Sequence, residues 1–138
     1  MAVLLRLSLA LCLAGLLLTG PTACGSRQKP EQRFEEQMLA FHNHMRWARY
    51  DDAAEFVAEH MRWEFLGEHE AMGSDFEVTE YEIRRVDRTE DAGPVTVTVW
   101  VQQFRLPSTR VEERVYRERW EYNDARGVWE LTERTLRD

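Results

Sequence analysis

The chain has 138 residues, 43% hydrophobic and 31% charged, which is the composition of one globular domain. Its formal net charge of −7 excludes a basic nucleic-acid-binding surface and disfavours electrostatic docking on anionic lipid. No catalytic motif stands out, so the composition alone names no activity.

Residues 1–23 have the three parts of a lipoprotein-type signal peptide. Arg6 supplies the positive start, Leu7–Leu18 is an apolar stretch, and Thr19–Ala23 is rich in small residues. The apolar stretch is too short for a transmembrane helix. We therefore expect this segment to be removed and the protein to be exported.

Cys24 follows the signal directly and gives the strongest sequence-based indication of location. Cys12 lies within the signal, so the mature chain keeps one thiol and forms no internal disulfide. Thr22–Gly25 resembles the end of a bacterial lipobox, in which the cysteine is acylated, although Pro21 stands where that family prefers leucine. Cleavage by the general signal peptidase, with Cys24 incidental, is the alternative.

Acylation of Cys24 implies a membrane partner, because several acyl chains anchor a protein stably. Gly25-Ser26 resembles lipoproteins that are sent to an outer membrane. Residues 24–30 then form a polar linker, and residues 31–138 form a single domain. The expected location is the cell envelope, at the periplasmic face of the outer membrane.

Helical patterns fill the first part of the domain. Glu31–Arg49 predicts one helix, and a second begins at Asp51 or Asp52, either of which can cap it. The short break between them predicts a helical hairpin. Trp63–Met72 predicts a third short helix that ends before Gly73. The first helix has one apolar stripe, formed by Phe34, Met38, Phe41, Met45 and Ala48.

Four strands follow. Phe76–Asp87 is the first, with a β-bulge expected between Val78 and Tyr81, where the alternation slips. The segment from Val95 to Asn123 predicts a long hairpin that is broken near Pro107. After an Asn-Asp-Ala-Arg-Gly turn, a last strand runs from Val128 to about Thr135. The predicted fold class is α+β, with N-terminal helices packed on a curved antiparallel sheet.

The register of the hairpin follows if Leu106 lies opposite Val111. The expected pairs on the apolar face are Val95–Tyr122, Val97–Trp120 and Val101–Tyr116, and this face meets the helices. The reverse face is partly solvent-exposed and has the expected pairs Thr98–Arg119, Trp100–Arg117 and Phe104–Glu113. The last strand extends the apolar face through the pairs Tyr122–Trp129 and Trp120–Leu131.

Two segments resemble the nuclear transport factor 2-like superfamily, a cone-shaped, cystatin-like fold that includes the SnoaL and ketosteroid-isomerase groups. They are the helix-to-helix break Trp47–Val57 and the closing hairpin Trp120–Leu131. The resemblance implies a pocket between the helices and the sheet. Many members bind small apolar ligands in this pocket and some use it for catalysis, whereas many others dimerise or have no known ligand.

The isomerases of that superfamily have a tyrosine in the first helix and two aspartates in the pocket. This chain has Ala40 and Phe41 in the middle of its first helix, and no aspartate on the apolar face of the central strands. These departures argue against isomerase chemistry. We expect a non-enzyme without cofactors.

A metal site is not expected either. His42 and His44 are two residues apart on a helix and point in different directions, whereas a helical zinc pair needs an i, i+4 spacing. Glu68–Glu70 is most simply a solvated segment.

The aromatic residues divide into two sets. The first set is a possible ligand pocket or, more simply, core, and consists of Phe41, Trp47, Tyr116, Trp120 and Trp129. Trp100 and Phe104, on the wetter face, form a possible patch for a protein partner or a second copy.

The sequence thus favours a non-enzymatic envelope lipoprotein whose domain mediates partner or structural interactions. A binder of a small apolar ligand is the alternative. A cofactor-free isomerase or dehydratase is a weaker third.

Overall fold

The computed structural model describes residues 30–89 and 93–137. The predicted signal peptide, Cys24 and nearly all of the predicted linker lie outside this range. Three helices precede four strands, as the sequence predicts: α1 Pro30–Arg46, α2 Tyr50–Ala54, α3 Glu59–Met72, β1 Phe76–Arg88, β2 Val95–Arg105, β3 Glu112–Asn123 and β4 Val128–Arg137.

Helix α1 buries its predicted stripe over most of its length. Four residues of the stripe lie in the core: Phe34, Met38, Phe41 and Met45. Ala48 does not, because α1 ends at Arg46 and Ala48 takes a left-handed conformation with φ of 51°. The chain turns there, and the amide of Arg49 donates to the carbonyl of His44 at 2.9 Å.

Helix α2 lacks the predicted aspartate cap. Arg49 occupies the N-cap position without a side-chain hydrogen bond, and Asp51 and Asp52 lie in the first turn instead. Carboxylates in a first turn still favour a helix through its dipole. Helix α3 begins four residues earlier than predicted, at Glu59, and Gly73 ends it with φ of 68°.

The break between α2 and α3 is tied to the last strand. The amide of Ala58 donates to the carbonyl of Leu131 at 2.9 Å, and the amide of Leu131 donates to the carbonyl of Phe56 at 2.8 Å. The side chain of Arg62 donates to the carbonyls of Ala54 and Val57, both at 3.0 Å. These bonds fix the helical layer on one face of the sheet.

The sheet is antiparallel with strand order β1-β2-β3-β4. The predicted bulge in β1 is confirmed between Val78 and Glu80, and a second irregularity lies between Ile83 and Arg85. The predicted pairs Tyr122–Trp129 and Trp120–Leu131 are also confirmed.

The predicted register of β2 against β3 is wrong by two residues. Val95 pairs with Trp120, and Val99 pairs with Tyr116. The amide of Leu106 donates to the carbonyl of Asp75 at 2.8 Å, so the end of β2 continues along β1 and not opposite Val111. A shift of two keeps every side chain on its predicted face.

The same shift changes the partners on the outer face of the sheet. Thr98 lies opposite Arg117, and Trp100 lies opposite Val115 rather than Arg117. The cation above the Trp100 ring is therefore Arg84 of β1, at 5.4 Å.

Candidate functional site

A buried carboxylate lies on the apolar face of the sheet, beneath the helices. Glu118 of β3 is 0% exposed, with Tyr116 and Trp120 on either side of it on that face. The Nε2 atom of His42 lies 3.1 Å from one carboxylate oxygen, and Trp120 Nε1 donates to that same oxygen at 3.2 Å. Arg134 of β4 donates through Nε to the other oxygen at 3.2 Å. We call Glu118, His42 and Arg134 the buried ion network.

These contacts explain why a charge is tolerated in the core. Burial alone raises the pKa of the Glu118 carboxyl, but His42, Arg134 and Trp120 outweigh it and hold the pKa below its usual value. Glu118 is therefore ionised at neutral pH. A buried carboxylate with three donors is satisfied, and breaking any one contact is costly.

Arg134 has donor capacity left over. It is 17% exposed, and its guanidinium carbon lies 3.9 Å from the centre of the Tyr116 ring. Among the described residues, the bond to Glu118 is its one hydrogen bond, which uses one of the five N–H donors of a guanidinium.

His69 of α3 offers the complementary group. It is 4% exposed, and its Nδ1–H donates to the carbonyl of Phe65 at 2.6 Å, which leaves Nε2 with a free lone pair. Burial lowers the pKa of His69 and outweighs the hydrogen bond to Phe65, which raises it; the charges of Arg134 and Glu68 have smaller and opposite effects. The ring is therefore neutral at neutral pH.

Arg134 and His69 both line two neighbouring spaces between α3 and the sheet. An inner cavity of about 30 Å³, roughly the volume of one water molecule, also touches His42 and Tyr81. An outer cleft of about 220 Å³ has mainly apolar walls, formed by Met61, Phe65, Met72, Tyr116 and Leu131, with Glu64 and Glu68 beside them.

Met72, the last residue of α3, is shared by these spaces. It lines the inner cavity, the outer cleft and a third space of about 270 Å³ beside Phe76 and Phe104. Methionine is unbranched and flexible, so this side chain can move without a change in the backbone.

The core of the domain contains three of the five aromatic residues predicted for a pocket or core. Phe41, Trp120 and Trp129 are buried, and the rings of Phe41 and Trp120 meet edge to face at 5.4 Å. Tyr116 is half-buried and lines the inner cavity and the outer cleft. The prediction for Trp47 is wrong: it is 67% exposed, because it follows the end of α1, and it lines a surface space next to the first residues of β1.

Trp100 and Phe104 are both half-buried, and neither lines the inner cavity or the outer cleft, although Phe104 lines the third space beside Phe76. The Trp100 ring is flanked by Arg84, and its Nε1 donates to Glu113 at 3.3 Å. Partner binding by these two residues stays a prediction.

His42 and His44 lie in different surroundings, as their spacing predicts. His42 belongs to the buried ion network, whereas His44 lies beside Asp52 and stacks on Phe56. In the ranges 30–89 and 93–137, no three His, Cys, Asp or Glu side chains come together as a metal site would need. In the same ranges, no helix has the length and apolar character needed to cross a bilayer.

Sequence reasoning missed the buried ion network. Counting in twos from Tyr116 places Glu118 on the same face as Trp120 and Tyr122, so the signal was present in β3. The comparison with the isomerases concerns aspartates alone, so it gave Glu118 no role.

Comparison with known proteins shows the fold. No protein-family model matches the sequence, and no curated protein matches it at a significant level. The structure is similar to a ketosteroid isomerase-like protein from Erwinia carotovora atroseptica SCRI1043, with a TM-score of 0.62, 12% identity, and coverage of 78% of this chain and 94% of that one.

A second similar structure is the intermembrane space region of chloroplast protein ARC6, with a TM-score of 0.53, 12% identity, and coverage of 77% of this chain and 95% of that one. At these identities the similarity is one of fold alone. The expected nuclear transport factor 2-like α+β fold is confirmed.

Proposed function

We propose that this domain binds a small, neutral, largely apolar molecule whose polar end carries a carbonyl or hydroxyl group. One observation carries the proposal: Arg134 and His69 line both the inner cavity and the outer cleft. Arg134 keeps free N–H donors there, and His69 keeps a free lone pair on Nε2. A few convergent polar groups in an apolar cleft are typical of ligand sites.

The charges around the cleft favour a neutral ligand. Arg134 is already paired with the ionised Glu118, so it brings little net positive charge. Glu64 and Glu68 also line the outer cleft and repel an anion. A carbonyl oxygen accepts from Arg134, and a hydroxyl group can donate to His69 Nε2.

The same geometry favours binding over catalysis. A general base works best with a pKa near the operating pH, whereas the pKa of Glu118 is held low and its oxygens already accept from three groups. We therefore keep the proposal of a non-enzymatic protein.

Two naphthalene dyes test the ligand class. Prodan is a neutral ketone, and anilinonaphthalene sulfonate is an anion of similar size. We expect Prodan to bind the full chain more tightly than the anion, with a blue-shifted emission. Arg134→Gln should weaken Prodan binding at least about tenfold, since a hydrogen bond to a charged group contributes about 1.5–3 kcal/mol.

Arg137→Gln, an exposed position on the same strand, is the matched control and should leave Prodan affinity unchanged. Met61→Trp fills the outer cleft without touching the buried ion network, and it should also reduce binding. Tighter binding of the anion, or full Prodan affinity in both Arg134→Gln and Met61→Trp, would refute the proposal.

We also propose that the chain is anchored in the cell envelope through Cys24, as the lipobox resemblance implies. Labelling with radioactive palmitate tests this proposal. Labelled wild type and unlabelled Cys24→Ala are expected, and equal labelling of the two would exclude the anchor.

A further inference from the structure

The outer side of the helical layer has a groove that is separate from the proposed ligand site. It lies between the α1–α2 turn and α3, has a volume of about 540 Å³, and is lined by Ala48, Tyr50, Asp51, Trp63, Leu66, Gly67 and Glu70. None of these residues lines the inner cavity or the outer cleft. We call it the helical groove.

Trp63 is the largest apolar group in the helical groove, and it is 88% exposed. A tryptophan so exposed gains nothing from the hydrophobic effect in the isolated domain. Trp, with its large rigid surface, is enriched among the residues that dominate protein–protein binding.

The segment 50–72 carries most of the net negative charge of the protein. It contains seven carboxylates against the single arginine Arg62, which gives a formal charge of −6 out of −7 for the whole chain. Arg62 is occupied with backbone carbonyls. Asp51 and Glu70 place two of these carboxylates in the groove itself.

Gly67 gives an independent indication that another polypeptide segment packs closely against α3. A glycine within a helix is less stable than alanine, and a Cβ atom built at Gly67 meets nothing within 4 Å. The fold thus has no internal need for a glycine there. The absence of a side chain lets another backbone come close to α3.

We propose that the helical groove docks a basic segment of a partner protein. Its Lys or Arg side chains pair with Asp51 and Glu70, an apolar side chain covers Trp63, and its backbone passes over Gly67. A second copy of this chain would bring a like-charged surface, and an anionic membrane would be repelled. The groove is also much larger than a single ammonium group requires.

Panning a random 12-residue peptide library against the full chain in mild detergent tests the proposal. Enriched peptides should carry net positive charge together with apolar residues. By fluorescence anisotropy, they should bind at least tenfold more weakly to Trp63→Ala and to Gly67→Leu. Binding should also weaken between 50 and 500 mM NaCl, because charge pairing is screened.

Gly67→Leu places a side chain in open space and removes a glycine from a helix, so the thermal stability of this variant should not fall. Weaker peptide binding in Gly67→Leu therefore cannot be explained by unfolding. Trp47→Ala removes another exposed tryptophan and should keep full affinity. Three outcomes would overturn the proposal: no enrichment of basic peptides, unchanged affinity in Trp63→Ala and Gly67→Leu, or self-association of the protein that Trp63→Ala abolishes.

Discussion

Strand β3 carries ion pairs on both of its faces, and the two faces differ in what those pairs do. Arg119 and Glu121 on the outside are 2.8 Å apart and about half exposed. Glu118 and Arg134 are 3.2 Å apart, with Glu118 fully buried. The shorter pair is the weaker contributor, because water can replace either partner outside, whereas nothing can solvate Glu118 once a partner is lost.

The largest expected effect comes from breaking the buried ion network. Glu118→Ala should lower the free energy of unfolding by about 3–5 kcal/mol, since it leaves a cavity and removes the partner of His42 and Arg134. Chemical denaturation monitored by circular dichroism gives this value.

A double variant sharpens the same point. Glu118→Leu with Arg134→Leu removes both charges and should be more stable than Glu118→Leu alone, because the guanidinium of Arg134 is no longer left without its carboxylate, while the loss at His42 and Trp120 is the same in both variants. If Glu118→Ala loses less than about 1 kcal/mol, the buried ion network does not hold the helices on the sheet.

The elements of the fold could be predicted because they depend on local patterns. The apolar stripe of α1 and the alternation in β2 identify a helix and a strand without any knowledge of tertiary contacts. The β2–β3 register could not be predicted from such patterns. It depends on the hydrogen bond from Leu106 to Asp75, which joins segments 31 residues apart in sequence.

The candidate site was less predictable for a similar reason. Period two places Glu118 on the inner face, but the partners come from α1 and β4. Which helical residue faces which strand residue is set by packing, which the sequence pattern does not encode. The free lone pair of His69 cannot be predicted from the sequence either, since it depends on the hydrogen bond that Nδ1 donates to the carbonyl of Phe65.

Acidification should lower the free energy of unfolding through His69 in the helical layer. The pKa of His69 is lower in the folded state than its usual value near 6.5, so the unfolded state binds a proton first as the pH falls. The stability associated with the neutral ring is complete above about pH 6.5 and declines below it, towards the lowered folded-state pKa.

His69→Asn should therefore lose less stability than wild type between pH 7.5 and pH 5, because the asparagine amide can still donate to Phe65 and does not titrate. His60→Asn, an exposed position on the same helix, controls for the removal of a histidine. Denaturation curves at both pH values measure the difference. Parallel losses in wild type and His69→Asn would show that His69 is not buried as a neutral ring.

The smallest effect is expected on the outer face. Glu121→Gln breaks the 2.8 Å contact with Arg119, yet it should change the free energy of unfolding by no more than about 0.5 kcal/mol, because both side chains remain hydrated. The same denaturation assay in low and high salt measures it, and salt should remove most of what difference exists. A loss comparable to that of Glu118→Ala would mean that the outer face is covered by a partner around Arg119 and Glu121.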